Sequence, residues 1–94
     1  MGNFTSKMAK LNQQVRNCYT DLEDLIRELK IFEQKYDMPS ESFFRKFNQG
    51  ELEHETDFFE WYAYVDMCRL LIQKIRSIER KIGDELEQEL LEFA

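Results

Sequence analysis

Residues 4–36 read FTSKMAKLNQQVRNCYTDLEDLIRELKIFEQKY, and this stretch decides the fold. Its apolar side chains recur at strictly alternating spacings of four and three residues, which is typical of a long α-helix that buries one stripe against another helix. Because Pro39 lacks a backbone N–H and disfavours helix at the preceding residue, we expect this helix to cover about residues 5–37. The members of this first seam are Phe4, Met8, Leu11, Val15, Cys18, Leu22, Leu25, Leu29, Phe32 and Tyr36.

A second seam occupies the last third of the chain and predicts a long helix over about residues 57–92. Beyond Ile75 its spacing changes, so that the apolar stripe drifts around the helix. Gly83 lies within this drift, and a break there is the alternative to the continuous helix that we favour. The members of the second seam are Phe58, Trp61, Val65, Cys68, Ile72, Ile75, Ile78, Ile82, Leu86, Leu90 and Phe93.

Residues 40–49 between the two seams predict a short helix, with Ser40 as its N-cap and Gly50 as its C-terminal stop. Such a short helix does not hold in water by itself. We therefore expect its apolar face to pack on the end of the helical pair. That face consists of Phe43, Phe44 and Phe47.

Two rods of similar length with a short connection predict a single all-α domain over residues 1–94, folded as an antiparallel helical hairpin. A lone hairpin would leave apolar side chains of both rods in water. We therefore expect two copies to form a homodimeric four-helix bundle.

Charge suggests a register in which Tyr36 lies level with Asp57. Exposed ion pairs stabilise by only a few tenths of a kcal/mol each, so charge bears here on register and not on stability. The register would bring acidic residues 84–92 beside Lys7 and Lys10. It would also place Arg69 and Lys74 opposite Asp21, Glu23 and Asp24.

The totals limit the classes of partner. A net charge of −6 and a pI near 4.8 give no electrostatic support for a nucleic-acid interface, and they favour a basic protein partner instead. No apolar run is long enough to span a membrane. Two cysteines are too few for a disulfide framework, so we expect a reducing, cytoplasmic location.

The stretch GELEHETDFFEW, residues 50–61, holds the only His (His54) among several carboxylates. Asp57 and Glu60 have the spacing of a helix capping box, directly before the second seam. Zinc sites usually recruit Cys or several His, and hard cations prefer a defined loop with a fixed Gly. We therefore predict a solvated loop that binds neither metal nor cofactor.

Catalytic chemistry has little support in this chain, and we predict that it is not an enzyme. Cys18 and Cys68 lie on apolar seams, where a thiol stays protonated. A Gly-rich phosphate loop is lacking. The enzymatic alternative is a metal-dependent helical hydrolase that uses Glu51, Glu55 and Asp57.

Aromatic residues concentrate in the middle of the chain, and we interpret some of them as a surface for a partner or for dimerisation. The competing interpretation is plain core, since several of the rings lie at helical spacing. The candidate interface residues are Phe43, Phe44, Phe59, Trp61, Tyr62 and Tyr64.

The segment KYDMPSESFFRKFNQGELEHETDFFEW, residues 35–61, resembles a family of small prokaryotic proteins with the pattern K-Y-G-M-S-x-E-x-F-x-x-K-F-x-x-G-E-L-x-x-x-x-D-F-x-E-W. Asp37 replaces the usual Gly of the pattern, and Pro39 replaces its Ser. The matching positions are Lys35, Tyr36, Met38, Glu41, Phe43, Lys46, Phe47, Gly50, Glu51, Leu52, Asp57, Phe58, Glu60 and Trp61.

Many proteins of that family resemble the antitoxin encoded beside a toxin gene. The resemblance implies an acidic, non-catalytic helical protein that covers a basic partner, and this agrees with the composition. We therefore expect a protein–protein interaction function. A self-assembling structural module is the main alternative.

Overall fold

The computed structural model describes residues 2–93 and contains three helices over that range, without a strand. They are α1 (Gly2–Tyr36), α2 (Ser40–Asn48) and α3 (Thr56–Phe93). Met1 and Ala94, the ends of the predicted domain, lie outside the described residues. The side chain of Phe93, the last member of the second seam, also lies outside them.

The two long helices pack against each other along their apolar seams, which confirms the predicted all-α helical hairpin. Helix α3 runs without interruption through Gly83, as we favoured. A single Gly inside a helix costs only about 1 kcal/mol relative to Ala, so the neighbouring turns hold the helix together there. The result is a rod of 59 × 22 × 17 Å.

Two separate clusters of buried side chains form the core. The aromatic cluster lies at the connection end of the hairpin, where α2 covers α1 and α3. The aliphatic cluster lies nearer the chain termini, which we call the open end. Buried members of the aromatic cluster are Phe32, Phe43, Phe58, Trp61 and Val65, and those of the aliphatic cluster are Leu11, Cys18, Ile75 and Ile78.

The connection from α1 to α2 turns through Asp37, whose φ of 50° is left-handed. The N–H of Met38 bonds the Glu33 carbonyl at 3.2 Å, which closes the end of α1. Ser40 is not the N-cap that the sequence suggested. Pro39 holds that position, because its fixed φ and missing N–H suit the turn, and Ser40 is buried as the first helical residue.

Gly50 ends α2 as predicted, with a φ of 71°. Its N–H bonds the Phe47 carbonyl at 3.1 Å, and the N–H of Glu51 bonds the Lys46 carbonyl at 3.0 Å. This pair of bonds is a Schellman motif, which needs a left-handed residue at the Gly position.

The start of α3 differs from the predicted capping box. The helix begins at Thr56, so Asp57 already lies inside its first turn. The Asp57 carboxylate accepts hydrogen bonds from side chains of α1, while Glu60 accepts one from the hydroxyl of Tyr64 at 3.1 Å. Side chains of α1 for Asp57, and a side chain one turn further along α3 for Glu60, have thus replaced the local backbone donors of a capping box.

The observed register agrees with the predicted one at both ends of the hairpin. Tyr36 lies level with Asp57, their side-chain oxygens 2.6 Å apart, and Lys7 pairs with Glu85 at 2.6 Å. In the middle of the hairpin, Asp21 and Asp24 lie beside residues 67–71, but over residues 2–93 the charges expected to pair there do not pair with each other. The Arg69 guanidinium lies 4.9 Å from the Phe44 ring centre, and no ion pair within the described residues joins Arg69 or Lys74 to Asp21, Glu23 or Asp24.

Candidate protein-interaction surfaces

Trp61 and Phe43 are core residues, so the prediction that they belong to a partner surface was wrong. Neither side chain exposes any surface. Their rings stack with centroids 3.9 Å apart and planes 5° apart, and the indole N–H of Trp61 donates to Oγ of Ser40 at 2.9 Å. Phe43 lies on the inner face of α2 and covers Trp61, so a partner could reach either ring only if α2 moved away.

Phe44 and Tyr62 are half-buried and pair with each other at the edge of the same cluster. Their rings stack at 4.7 Å, and the Tyr62 hydroxyl donates to the side-chain oxygen of Asn48 at 3.0 Å. Arg69 covers part of Phe44. These two predicted interface residues therefore present ring edges to solvent and use their faces within the chain.

Phe59 is the predicted interface residue that is most open to solvent, at 53% exposure. The His54 ring stacks against it at 5.7 Å. Tyr64 is half-buried against Phe32. The hydrogen bond that its hydroxyl donates to the Glu60 carboxylate raises the pKa of Tyr64. The structure thus leaves Phe59 as an exposed apolar ring and directs Tyr64 towards α1.

A polar cluster of Lys35, Tyr36 and Asp57 joins the end of α1 to the start of α3. The Lys35 ammonium lies 2.5 Å from Oδ2 of Asp57, which also accepts from the Tyr36 hydroxyl. Hydrogen bonds from Lys35 and then Tyr36 lower the pKa of Asp57. A carboxylate that two donors hold in the ionised form at one oxygen is a joint between helices and a poor general base.

The other reactive side chains within residues 2–93 do not come together as a catalytic or metal site. Burial raises the pKa of the Cys68 thiol, which favours the inert protonated form. Within residues 2–93, no three His, Cys, Asp or Glu side chains come together as a set that could hold a metal ion. The acidic loop around His54 is exposed.

Two exposed apolar surfaces lie outside the six candidate interface residues. The first, the groove face, lies midway along the hairpin, where Met67 and Leu70 are 48% and 58% exposed. Both residues are apolar but lie off the second seam, and this position in the sequence indicates that they face away from α1. The groove is lined by Asp21, Asp24, Leu25, Met67, Leu70 and Leu71.

The second surface, the terminal surface, lies on α3 at the open end. Leu86, Leu90 and Leu91 are 51%, 69% and 67% exposed. Their spacing places them around Glu87 on one side of the helix. Leu86 and Leu90 belong to the second seam, but the drift after Ile75 has turned them away from α1. The change of spacing after Ile75 is the sequence signal of this surface.

The hairpin exposes more surface than a compact protein of its mass. Its accessible area is 7178 Å², whereas a monomeric globular protein of 11.5 kDa exposes about 5,800 Å². The radius of gyration is 18.6 Å, against about 12 Å for a compact domain of this length. Exposed apolar residues on an elongated molecule are typical of a surface that another protein covers.

None of the helices over residues 2–93 combines the length and apolar character that crossing a bilayer requires. Comparison of the chain with protein-family models, with curated proteins and with solved structures finds no match.

Proposed function

We propose that this chain is a non-enzymatic protein that binds a basic protein partner, in the manner of the antitoxin half of a toxin–antitoxin pair. The observation that carries the proposal is the terminal surface, with its three exposed leucines around a carboxylate. Covering such exposed apolar side chains with a partner stabilises the complex by about 25 cal/mol per Å² of apolar surface removed from water.

The charge of the terminal surface indicates the sign of the partner. Residues 84–93 contain Asp84 and four Glu but no Lys or Arg. Because the C-terminus of a helix carries partial negative charge, acidic side chains in its last turns destabilise it, and no basic residue occupies the last turn of α3. A basic partner would relieve this repulsion. An acidic partner would increase it.

The resemblance of residues 35–61 to small antitoxin-like proteins supports the same role from a different part of the chain. The buried free thiols of Cys18 and Cys68 suit the reducing cytoplasm, where we place the interaction. The side chains that fill the aromatic cluster hold the hairpin together and leave the open end available.

Co-expression with the protein encoded by the adjoining gene tests this role. We expect the two proteins to co-purify, with binding that weakens as salt is raised, because opposite charges meet at the interface. A chain that never co-purifies with that protein would contradict the proposal.

Charge reversal tests the surface itself. Glu87→Lys should weaken binding about tenfold or more. It replaces the central carboxylate of the terminal surface with a positive charge, which repels the basic partner. Glu53→Lys is the matched control, because it makes the same change at an exposed loop position at the other end of the hairpin. Equal losses in the two variants would count against the terminal surface.

A further inference from the structure

The exposed side of α3 around Leu70 has a charge pattern that is self-complementary. Asp66 lies four residues before Leu70 and Lys74 four residues after it. Both are exposed, and neither forms an ion pair within the described residues. Further out, Glu60 lies ten residues before Leu70 and Arg80 ten residues after it. An antiparallel copy of α3 centred on Leu70 would therefore place opposite charges at equal heights.

Side-chain size follows the same symmetry. Ala63 and Ser77 lie seven residues before and after Leu70, about two helical turns on either side. Both are small and exposed. Two antiparallel helices centred on Leu70 would bring Ala63 of one chain opposite Ser77 of the other, which allows their backbones to approach closely.

We propose that a second copy of this chain occupies the groove face, with the two α3 helices antiparallel about a two-fold axis at Leu70. Met67 and Leu70 of each copy enter the groove of the other. Asp66 of one copy pairs with Lys74 of its partner, and the same pair repeats across the axis, as an isologous interface requires. The assembly is separate from the terminal surface and leaves it free for the basic partner.

Other occupants of the groove face fit less well. A parallel second copy would place Asp66 opposite Asp66 and Lys74 opposite Lys74, which are unfavourable pairs. A basic helix in the groove would be repelled by Lys74. An acidic helix would be repelled by Asp21 and Asp24 along the groove. The antiparallel copy instead places each Asp66 opposite a Lys74.

The amount of surface also fits a dimer. The accessible area exceeds that of a compact protein of the same mass by about 1,400 Å². A standard stable interface buries about 800 Å² on each partner, so covering the groove face would remove a large part of the excess.

The first test is the mass of the purified full chain by light scattering at micromolar concentration. We expect twice the chain mass of 11.5 kDa. Leu70→Asp should give a monomer of unchanged helical content, because it places two carboxylates on the axis and Leu70 is 58% exposed in the hairpin. Leu91→Asp is the control and should remain dimeric, since Leu91 lies beyond the overlap of the two α3 helices.

A charge exchange tests the register. Asp66→Lys alone and Lys74→Asp alone should each raise the dimer dissociation constant several-fold, because each places two like-charged pairs across the axis. The double variant Asp66→Lys/Lys74→Asp should restore it, since the exchanged charges face each other again. Rescue of this kind is expected only when both residues meet across a self-interface.

A wild-type monomer would overturn the proposal, and so would a dimer that survives Leu70→Asp or a double exchange without rescue. These failures are distinguishable from failure of the proposed function. A monomer that still co-purifies with the adjoining gene product overturns the dimer alone, whereas a dimer without that partner overturns the antitoxin-like role alone.

Discussion

At the scale of single residues, Trp61 of α3 is fully buried in the aromatic cluster and contacts both of the other helices. Its ring stacks on Phe43 and lies 5.7 Å from the centre of Phe32 and 5.8 Å from that of Tyr36. Its N–H is satisfied by Ser40, whose own N–H donates to Oε2 of Glu33 at 2.7 Å. Ser40 thus connects all three helices, through its hydroxyl to Trp61 and through its backbone N–H to Glu33.

Ser40→Ala should lower the free energy of unfolding by about 1–3 kcal/mol, because it leaves the buried N–H of Trp61 without an acceptor. Chemical denaturation measures the change. In a Trp61→Phe background, where that donor is absent, the same substitution should cost clearly less. An equal cost in both backgrounds would contradict the role of the Trp61–Ser40 bond.

Asp57 should give the stability a dependence on acid pH. Its pKa is lowered from the ordinary 3.8 by hydrogen bonds from Lys35 and then Tyr36. A lowered folded-state pKa contributes stability that is present above the ordinary value and is lost as pH falls through the lowered one. Asp57→Asn should therefore flatten the loss of stability on the acid side.

Unfolding midpoints measured from neutral pH down through the carboxyl range check this expectation. Glu53→Gln is the control, because Glu53 is an exposed loop carboxylate without an ion pair, and it should leave the acid dependence unchanged. At alkaline pH the sign is opposite. The Asp57 carboxylate raises the pKa of Lys35 from 10.5, so that contribution is lost as pH rises through the raised value.

At the scale of helices, Gly50 and Gly83 have opposite roles. Gly50 needs its left-handed φ of 71° to close α2, whereas Gly83 has ordinary helical geometry. A Cβ at either position would meet no atom within 4 Å. Only the backbone conformation therefore decides how a substitution at each of the two glycines affects stability.

Gly50→Ala should destabilise the protein by about 1 kcal/mol, since an L-residue with a side chain disfavours that conformation. Gly83→Ala should stabilise it by about 0.5–1 kcal/mol, because Ala loses less backbone freedom in a helix. The two free energies of unfolding, compared with the wild type, decide the matter. Changes of the same sign would refute this account.

The sequence predicted the helices better than their first residues. The seams and Gly50 depend on local spacing and local conformation, which a sequence shows directly. Ser40 and Asp57 looked like N-caps, but each is used by a residue far along the chain, Trp61 in one case and Lys35 in the other. A competition between local and tertiary hydrogen-bond partners cannot be read from the local pattern alone.

At the scale of the whole molecule, the hairpin followed from the seams, and the packing of α2 on its end followed from the apolar face of α2. The positions of the interaction surfaces did not follow from either pattern. Aromatic content alone could not separate Trp61, which is enclosed by α2, from Phe59 two positions earlier. The groove face and the terminal surface arise because each long helix meets only one long neighbour. Its remaining apolar side chains are left outside the hairpin core.

The aromatic cluster and the chain ends lie at opposite ends of the rod, and this gives the molecule a direction of mechanical weakness. Tension applied through the two ends of the chain would pull α1 and α3 apart from the open end. The contacts would break one after another, first those of Leu11 and Ile78 and last those of Phe32 and Trp61. Such loading meets little resistance at first. The stacked rings beneath α2 would be the last contacts to part.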